Sequence, residues 1–137
     1  MTSIGYLYNQ KNTLLNGISD SRNMISSTED KISRLEQASS LLSTSISEVE
    51  SIKSSINGLQ IDNTRWKGKK ESKFNEVYSE YEVSVKDYLS KSNDAKETID
   101  TDIKRYEAEL ATYTSNLTYL ANSLDSLETQ ISQAQKG

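Results

Sequence analysis

Residues 99–134, IDTDIKRYEAELATYTSNLTYLANSLDSLETQISQA, decide the fold. Ile99, Ile103, Tyr106, Leu110, Tyr113, Leu117, Leu120, Leu124, Leu127, Ile131 and Ala134 recur at steps of four and three, the spacing of one face of an α-helix. From Ile103 onward two positions alternate. Ile103, Leu110, Leu117, Leu124 and Ile131 hold one, while Tyr106, Tyr113, Leu120, Leu127 and Ala134 hold the other. This is a heptad repeat, and its apolar stripe is stable only when a second helix covers it. Asp102, Lys104, Glu107, Glu109, Asn116 and Asp125 fall between the seam positions and are expected to face water.

Upstream, Phe74, Val77, Tyr81, Val85, Tyr88, Ser92 and Ala95 carry the pattern back, with extra four-residue steps at Tyr81–Val85 and Ile99–Ile103. Such steps loosen a supercoil locally without ending the helix. The first half of the chain repeats the theme through Leu14, Ile18, Ile25, Ile32, Leu35, Leu42, Ile46, Val49, Ile52, Ile56 and Leu59, with Ser21, Thr28 and Ser39 thinning the seam. Fourteen of the 23 serines lie before residue 58. Serine hydroxyls compete for backbone hydrogen bonds, so this arm is expected to owe its stability to packing rather than propensity. Asn57-Gly58 is its weakest point.

The periodicity stops at residues 60–70, QIDNTRWKGKK. Asp62, Asn63 and Thr64 are capping and turn residues, and Gly68 supplies the backbone freedom of a reversal. Residue 69 is the midpoint of the 137-residue chain, so a reversal there gives two arms of nearly equal length. The expected fold is all-α, a single helical-hairpin domain over residues 1–137: a long antiparallel two-helix hairpin, coiled-coil-like, with arm one at about 6–61, the turn at about 62–69 and arm two at about 70–135. Arms of roughly 55 residues at ~1.5 Å rise make a rod of about 80 Å. Antiparallel pairing sets Ile131 and Ala134 alongside Ile4 and Leu7, and Phe74 near Leu59.

The composition agrees and excludes much else. There is no proline, cysteine or histidine and there are five glycines, so disulfides, Cys/His zinc sites, thiol catalysis and Ser-His hydrolysis lack their atoms. Glutamate pairs such as Glu48/Glu50 and Glu107/Glu109 are two residues apart and point to different helix faces. No catalytic constellation, cofactor loop or metal set is expected. The net charge of −4 offers no general basic surface for nucleic acid. The turn is the exception: five bases and two acids from Asp62 to Lys73 give +3, leaving −7 for the rest. Either a solvated tip or a contact for an acidic partner or a phosphate head group fits such a patch. Apolar stretches such as Leu14-Leu15 and Tyr119-Leu120-Ala121 are too short to span a bilayer, and MTSIGYLYNQK lacks the basic start and apolar middle of a secretory signal. Export, if it occurs, is expected without a cleaved peptide, and stable membrane insertion is not expected.

A hairpin covers one stripe of each helix. Leu15, Met24, Ala38, Leu41 and Ile52 lie beside the first seam, and Val83, Leu89 and Tyr119 off the second. They imply a further hairpin, another copy or a different protein, completing a bundle of about four helices. The candidate packing and partner interface comprises Leu14, Ile18, Ile25, Ile32, Leu35, Leu42, Phe74, Tyr81, Tyr106, Leu110, Leu117 and Leu124.

The one tryptophan stands at the expected reversal in Trp66-Lys67-Gly68, where an indole can pack across two splayed helix ends. The motif and its central placement resemble the WXG family, small helical-hairpin substrates and partners of type VII secretion systems. The longer arms and the run from Trp66 to Phe74 look more like its larger relatives, the YwqH-like helical proteins associated with LXG toxins. The resemblance implies a non-enzymatic accessory, cytoplasmic before export and then secreted or at the cell surface. It also implies a partner, the helical N-terminal domain of an LXG toxin, and room for a second small helical accessory protein. The family's companion Tyr-x-x-x-Asp/Glu signal has one aromatic match here, Tyr78 with Glu82, early in arm two. Leu15-Asn16-Gly17 reads as L-x-G, but no C-terminal toxin is expected in a chain of this length. The alternative to an export role is a self-associating structural coiled-coil scaffold. A membrane-acting toxin subunit is disfavoured by the polarity of residues 65–73.

Overall fold

A computed structural model describes residues 3–57 and 69–136, with side chains from residue 72 onward in the second segment. Helix α1 spans Ile4–Asn57 and helix α2 spans Lys69–Lys136, and no strand occurs among the described residues. The two helices pack antiparallel as a helical hairpin. Ser3 caps α1. Its hydroxyl accepts a hydrogen bond from the Tyr6 amide at 3.1 Å, and its carbonyl accepts one from the Leu7 amide at 3.2 Å. At α2's other end Lys136 places a cation in the last turn, where exposed carbonyls favour it. Thr13, Thr44, Thr98, Thr112, Thr118 and Thr129 each donate the side-chain hydroxyl to the carbonyl four residues back, at 3.1–3.2 Å. That bond satisfies a group that would otherwise compete with the helix.

The burial pattern defines the seam. In α1 the a positions are Lys11, Ile18, Ile25, Ile32, Ser39, Ile46 and Lys53; the d positions are Leu7, Leu14, Ser21, Thr28, Leu35, Leu42, Val49 and Ile56. All of them are buried or half-buried. Ile52 is 54% exposed, because Lys53 holds the seam position beside it. In α2 the seam runs Phe74, Tyr78, Tyr81, Val85, Leu89, Ser92, Lys96, Ile99, Ile103 and on at four-three steps to Ala134. Compared with the periodicity read from apolar residues alone, Tyr78, Leu89 and Lys96 replace Val77, Tyr88 and Ala95. The consequence is one irregularity, the paired four-residue steps Tyr81–Val85–Leu89, and none at Ile99–Ile103. A lysine at a seam position breaks an apolar reading but not a packing one, since its four-carbon stem lies along the seam while its ammonium reaches outward.

The chain forms two compact units. The first comprises residues 1–34 and 103–137. Its densest core joins Leu7, Leu127 and Ile131, with Leu14 and Ala134 packed against them, and Ile18, Thr28 and Ile32 are also buried. Gly17 approaches Leu120 so closely that an added Cβ would lie 3.4 Å from Leu120 Cδ1, at ordinary contact distance. At the flanks, Gln135 Nε2 donates to the Tyr8 hydroxyl at 2.8 Å, and Lys11 Nζ lies 3.7 Å from Glu128 Oε1. Lys31 stands 5.4 Å from the Tyr106 ring centroid, and the Arg105 guanidinium 4.8 Å from it. Tyr106 therefore seals the seam with its body and presents its ring to two cations.

The second unit comprises residues 35–102. Ile46 is its buried aliphatic residue among those described, and Ser92 is buried in the seam. A polar cluster crosses between its helices: the Ser39 hydroxyl donates to Asp100 Oδ1 at 2.7 Å, and Lys96 Nζ lies 2.8 Å from Asp100 Oδ2. Toward residue 72 aromatics take over. Phe74 and Tyr78 stack with centroids 5.9 Å apart, Tyr78 and Tyr81 tilt at 6.1 Å, and the Tyr78 hydroxyl donates to Asn57 Oδ1 across the hairpin.

Candidate protein-interaction surface

The candidate interface residues divide in two. Ile18 and Ile32 are buried, and Leu14, Ile25, Leu35, Leu42, Phe74, Tyr81, Tyr106, Leu110, Leu117 and Leu124 are half-buried along the seam. These side chains hold the helices to each other. Tyr78 is half-buried and engaged with Phe74, Tyr81 and Asn57, whereas Glu82 is exposed. Trp66 and Gly68, with the turn and Leu59, lie outside the described residues.

Large apolar side chains that the hairpin leaves in water form a different set. Leu15, Met24, Leu41 and Ile52 in α1 and Val83 and Tyr119 in α2 are exposed, as their off-seam positions imply, and Ile4, Tyr6, Tyr8, Val77 and Tyr88 join them. Leu41, Tyr119 and Val83 are 72%, 71% and 69% exposed, so the hairpin itself covers almost none of them. Ala38 and Leu89 are half-buried instead. The register of these residues distinguishes the units. In the second unit Val77, Ser84, Tyr88 and Ala95 occupy the g row of α2, Ala38, Ser45 and Ile52 the g row of α1, and Leu41 lies in the adjoining c row. In antiparallel pairs g rows share one side and e rows the other, and the e-row contact of Tyr8 with Gln135 in the first unit follows that rule. A shallow groove lined by Leu42, Ser84, Tyr88, Ser92 and Ala95 runs on this g side, with Asp87 and Lys91 at its rim.

A serine row escaped the sequence reading. Ser19, Ser26, Ser33, Ser40, Ser47 and Ser54 recur every seven residues, and all are exposed in the b row of α1. Counting serines hid the spacing; sorting them by heptad position reveals it. Across the rest of the surface, among the described residues, no group of three or more His, Cys, Asp or Glu side chains is placed to hold a metal ion, and no helix is long and apolar enough to cross a membrane.

The geometry defines a class: paired-helix proteins whose heptad seam closes the hairpin and whose remaining apolar residues stay at the surface. The chain belongs to the YwqH-like family, whose model matches residues 9–135 and so takes in both helices and the intervening segment. No curated protein and no solved structure matches it.

Proposed function

We propose that this protein is a non-enzymatic targeting partner that binds the helical N-terminal domain of an LXG-type toxin and travels with it to a type VII secretion system. The observation that carries the reading is the surplus of exposed large apolar side chains in a YwqH-like helical hairpin. Covering a Leu, Ile or Val side chain is worth about 1.5–3 kcal/mol. Three such residues on one side of the second unit, Leu41, Ile52 and Val77, together with Tyr88, therefore supply a substantial part of the free energy of a stable complex. A helical domain with its own uncovered stripe is the natural complement, because two hairpins complete a bundle.

The reading is tested by co-expressing the chain with the toxin encoded beside its gene. A one-to-one complex with the toxin's N-terminal domain is expected in size-exclusion chromatography with light scattering. A chain that stays a stable monomer and never co-purifies with that domain would overturn the proposal, and a homodimer indifferent to the domain would favour the scaffold role. In the native host, Trp66→Ala is expected to leave helicity largely intact and to lower export of the toxin; unchanged export would remove that residue from the proposal.

A further inference from the structure

The charge of the chain is unevenly divided. The first unit carries seven bases (Lys11, Arg22, Lys31, Arg34, Lys104, Arg105, Lys136) and seven acids (Asp20, Glu29, Asp30, Glu107, Glu109, Asp125, Glu128), a net of zero. In the second unit, residues 35–57 and 72–102 carry eleven acids (Glu36, Glu48, Glu50, Glu76, Glu80, Glu82, Asp87, Asp94, Glu97, Asp100, Asp102) against five bases (Lys53, Lys73, Lys86, Lys91, Lys96), a net of −6. The exposed apolar residues follow the same division. In the first unit they scatter, with Tyr8 and Leu15 in the e row and Met24 in the g row. In the second, Leu41, Ile52, Val77 and Tyr88 fall in the g and c rows of one side, where Tyr88 lines the groove, Glu48 stands between Leu41 and Ile52, and Asp87 is ion-paired with Lys91 at 3.0 Å; Val83 lies outside these rows.

We propose that the g side of the second unit is the docking site for an amphipathic helix whose apolar stripe is bordered by lysine and arginine. The proposal rests on the helical-partner reading above and adds which part of the surface is used and what chemistry the partner carries. Charge complementarity selects that occupant. A second copy laid along this unit would bring two stretches of net −6 together, whereas a basic-bordered helix offsets the unit's excess of acid while covering the apolar row. The other outer flank of α1 in this unit presents Ser40, Ser47 and Ser54, hydroxyls that water already satisfies, and gives an apolar stripe nothing to cover.

The test uses the full chain and two designed helical peptides with the same leucine stripe, one bordered by lysine and the other by glutamate, read by fluorescence anisotropy. The lysine-bordered peptide is expected to bind at least tenfold more tightly, and to weaken at least tenfold on raising salt from low to high ionic strength. Leu41→Asp and Tyr88→Asp are expected to weaken it at least tenfold, whereas Leu15→Asp and Met24→Asp leave it within twofold. Both targeted side chains are exposed, so circular dichroism is expected to show unchanged helicity; Leu41→Ala, with a smaller loss, serves if the aspartate variant unfolds. Equal binding of the two peptides, no binding of either, or loss through the first-unit variants alone would overturn the proposal. Because the chain has no cysteine, Leu41→Cys gives a clean probe of the second copy. Rapid homodimer cross-linking through it, abolished by Tyr88→Asp, would also overturn the proposal. Failure of the toxin domain to bind while the lysine-bordered peptide binds as described removes the toxin reading and leaves the docking side standing.

Discussion

The two units share one heptad plan and use it differently. The first places aliphatic carbons where its helices meet, Leu7 against Leu127 and Ile131, and balances its charges to zero. The second places Ser39, Ser92 and Lys96 in the seam, ties Ser39 and Lys96 to Asp100, and accumulates acid on its surface. An aliphatic seam gains free energy from every carbon removed from water. Seam positions given to hydroxyls and a lysine gain less and demand that each polar group find its partner. The first unit therefore anchors the hairpin, and the second holds a register at lower stability while gathering four of its exposed apolar residues on one side.

The largest test of this contrast is to hollow out the first unit. Leu127 is buried against Leu7 and Ile131, and Leu127→Ala removes three carbons and leaves a cavity between two helices that meet along one seam. A loss of about 2–4 kcal/mol is expected in urea unfolding followed by circular dichroism. The equivalent truncation in the second unit, Leu42→Ala, at a half-buried position, is expected to cost about half as much. Equal losses would show that the aliphatic seam gives no special strength to the first unit.

The second test removes the polarity of the second unit. Replacing Lys96 by Leu and Asp100 by Ala together turns a polar stretch of seam into hydrocarbon, and a gain of about 1 kcal/mol is expected, because well-packed apolar groups commonly match or outdo partly buried ion pairs. Asp100→Ala alone, which strands the Ser39 hydroxyl and the Lys96 ammonium, is expected to cost about 1 kcal/mol. A gain from the single variant would mean that the cluster adds nothing even when whole.

These residues also mark how far the sequence could be read. The arms, their antiparallel register and the seam from Ile99 to Ala134 were legible because aliphatic side chains at four-three spacing state their own packing. Alignment of Ile131 and Ala134 with Leu7 followed from a reversal near the midpoint. The seam between Phe74 and Ala95 was not legible in full. There the apolar residues Val77, Tyr88 and Ala95 sit one place off the seam, and Lys96 occupies it, so a search for hydrophobic spacing follows the wrong row. The exposed residues Leu41, Val83 and Tyr119 were readable as off-seam. That four exposed residues of the second unit share a side required knowing where the seam runs. The polar cluster was hidden for another reason: Ser39 and Asp100 are 61 residues apart, and nothing local links them.

Glycine 17 gives a smaller and opposite test in the first unit. Alanine there restores about 0.5–1 kcal/mol of helix propensity, and its new methyl meets Leu120 at contact distance rather than in collision. Gly17→Ala is therefore expected to raise the unfolding midpoint by that free energy. A destabilised variant would mean that the helices cannot give even slightly at this contact, and that the first unit is packed to its limit.

The smallest expected effect compares the two seam lysines that have carboxylate partners. Lys96 is held by Asp100 one turn along its own helix at 2.8 Å, whereas Lys11 faces Glu128 on the opposite helix at 3.7 Å. The Lys11 pair is partly exposed, with side-chain exposures of 31% and 48%, so water screens it, and Glu128→Gln is expected to change stability by no more than about 0.5 kcal/mol. Raising the salt concentration is expected to erase even that difference. A cost above 1 kcal/mol that survives high salt would mean that the pair is shielded in solution as it is not in the isolated chain. Since Glu128 lies in the e row, such a result would place a covered surface on the e rows of the first unit.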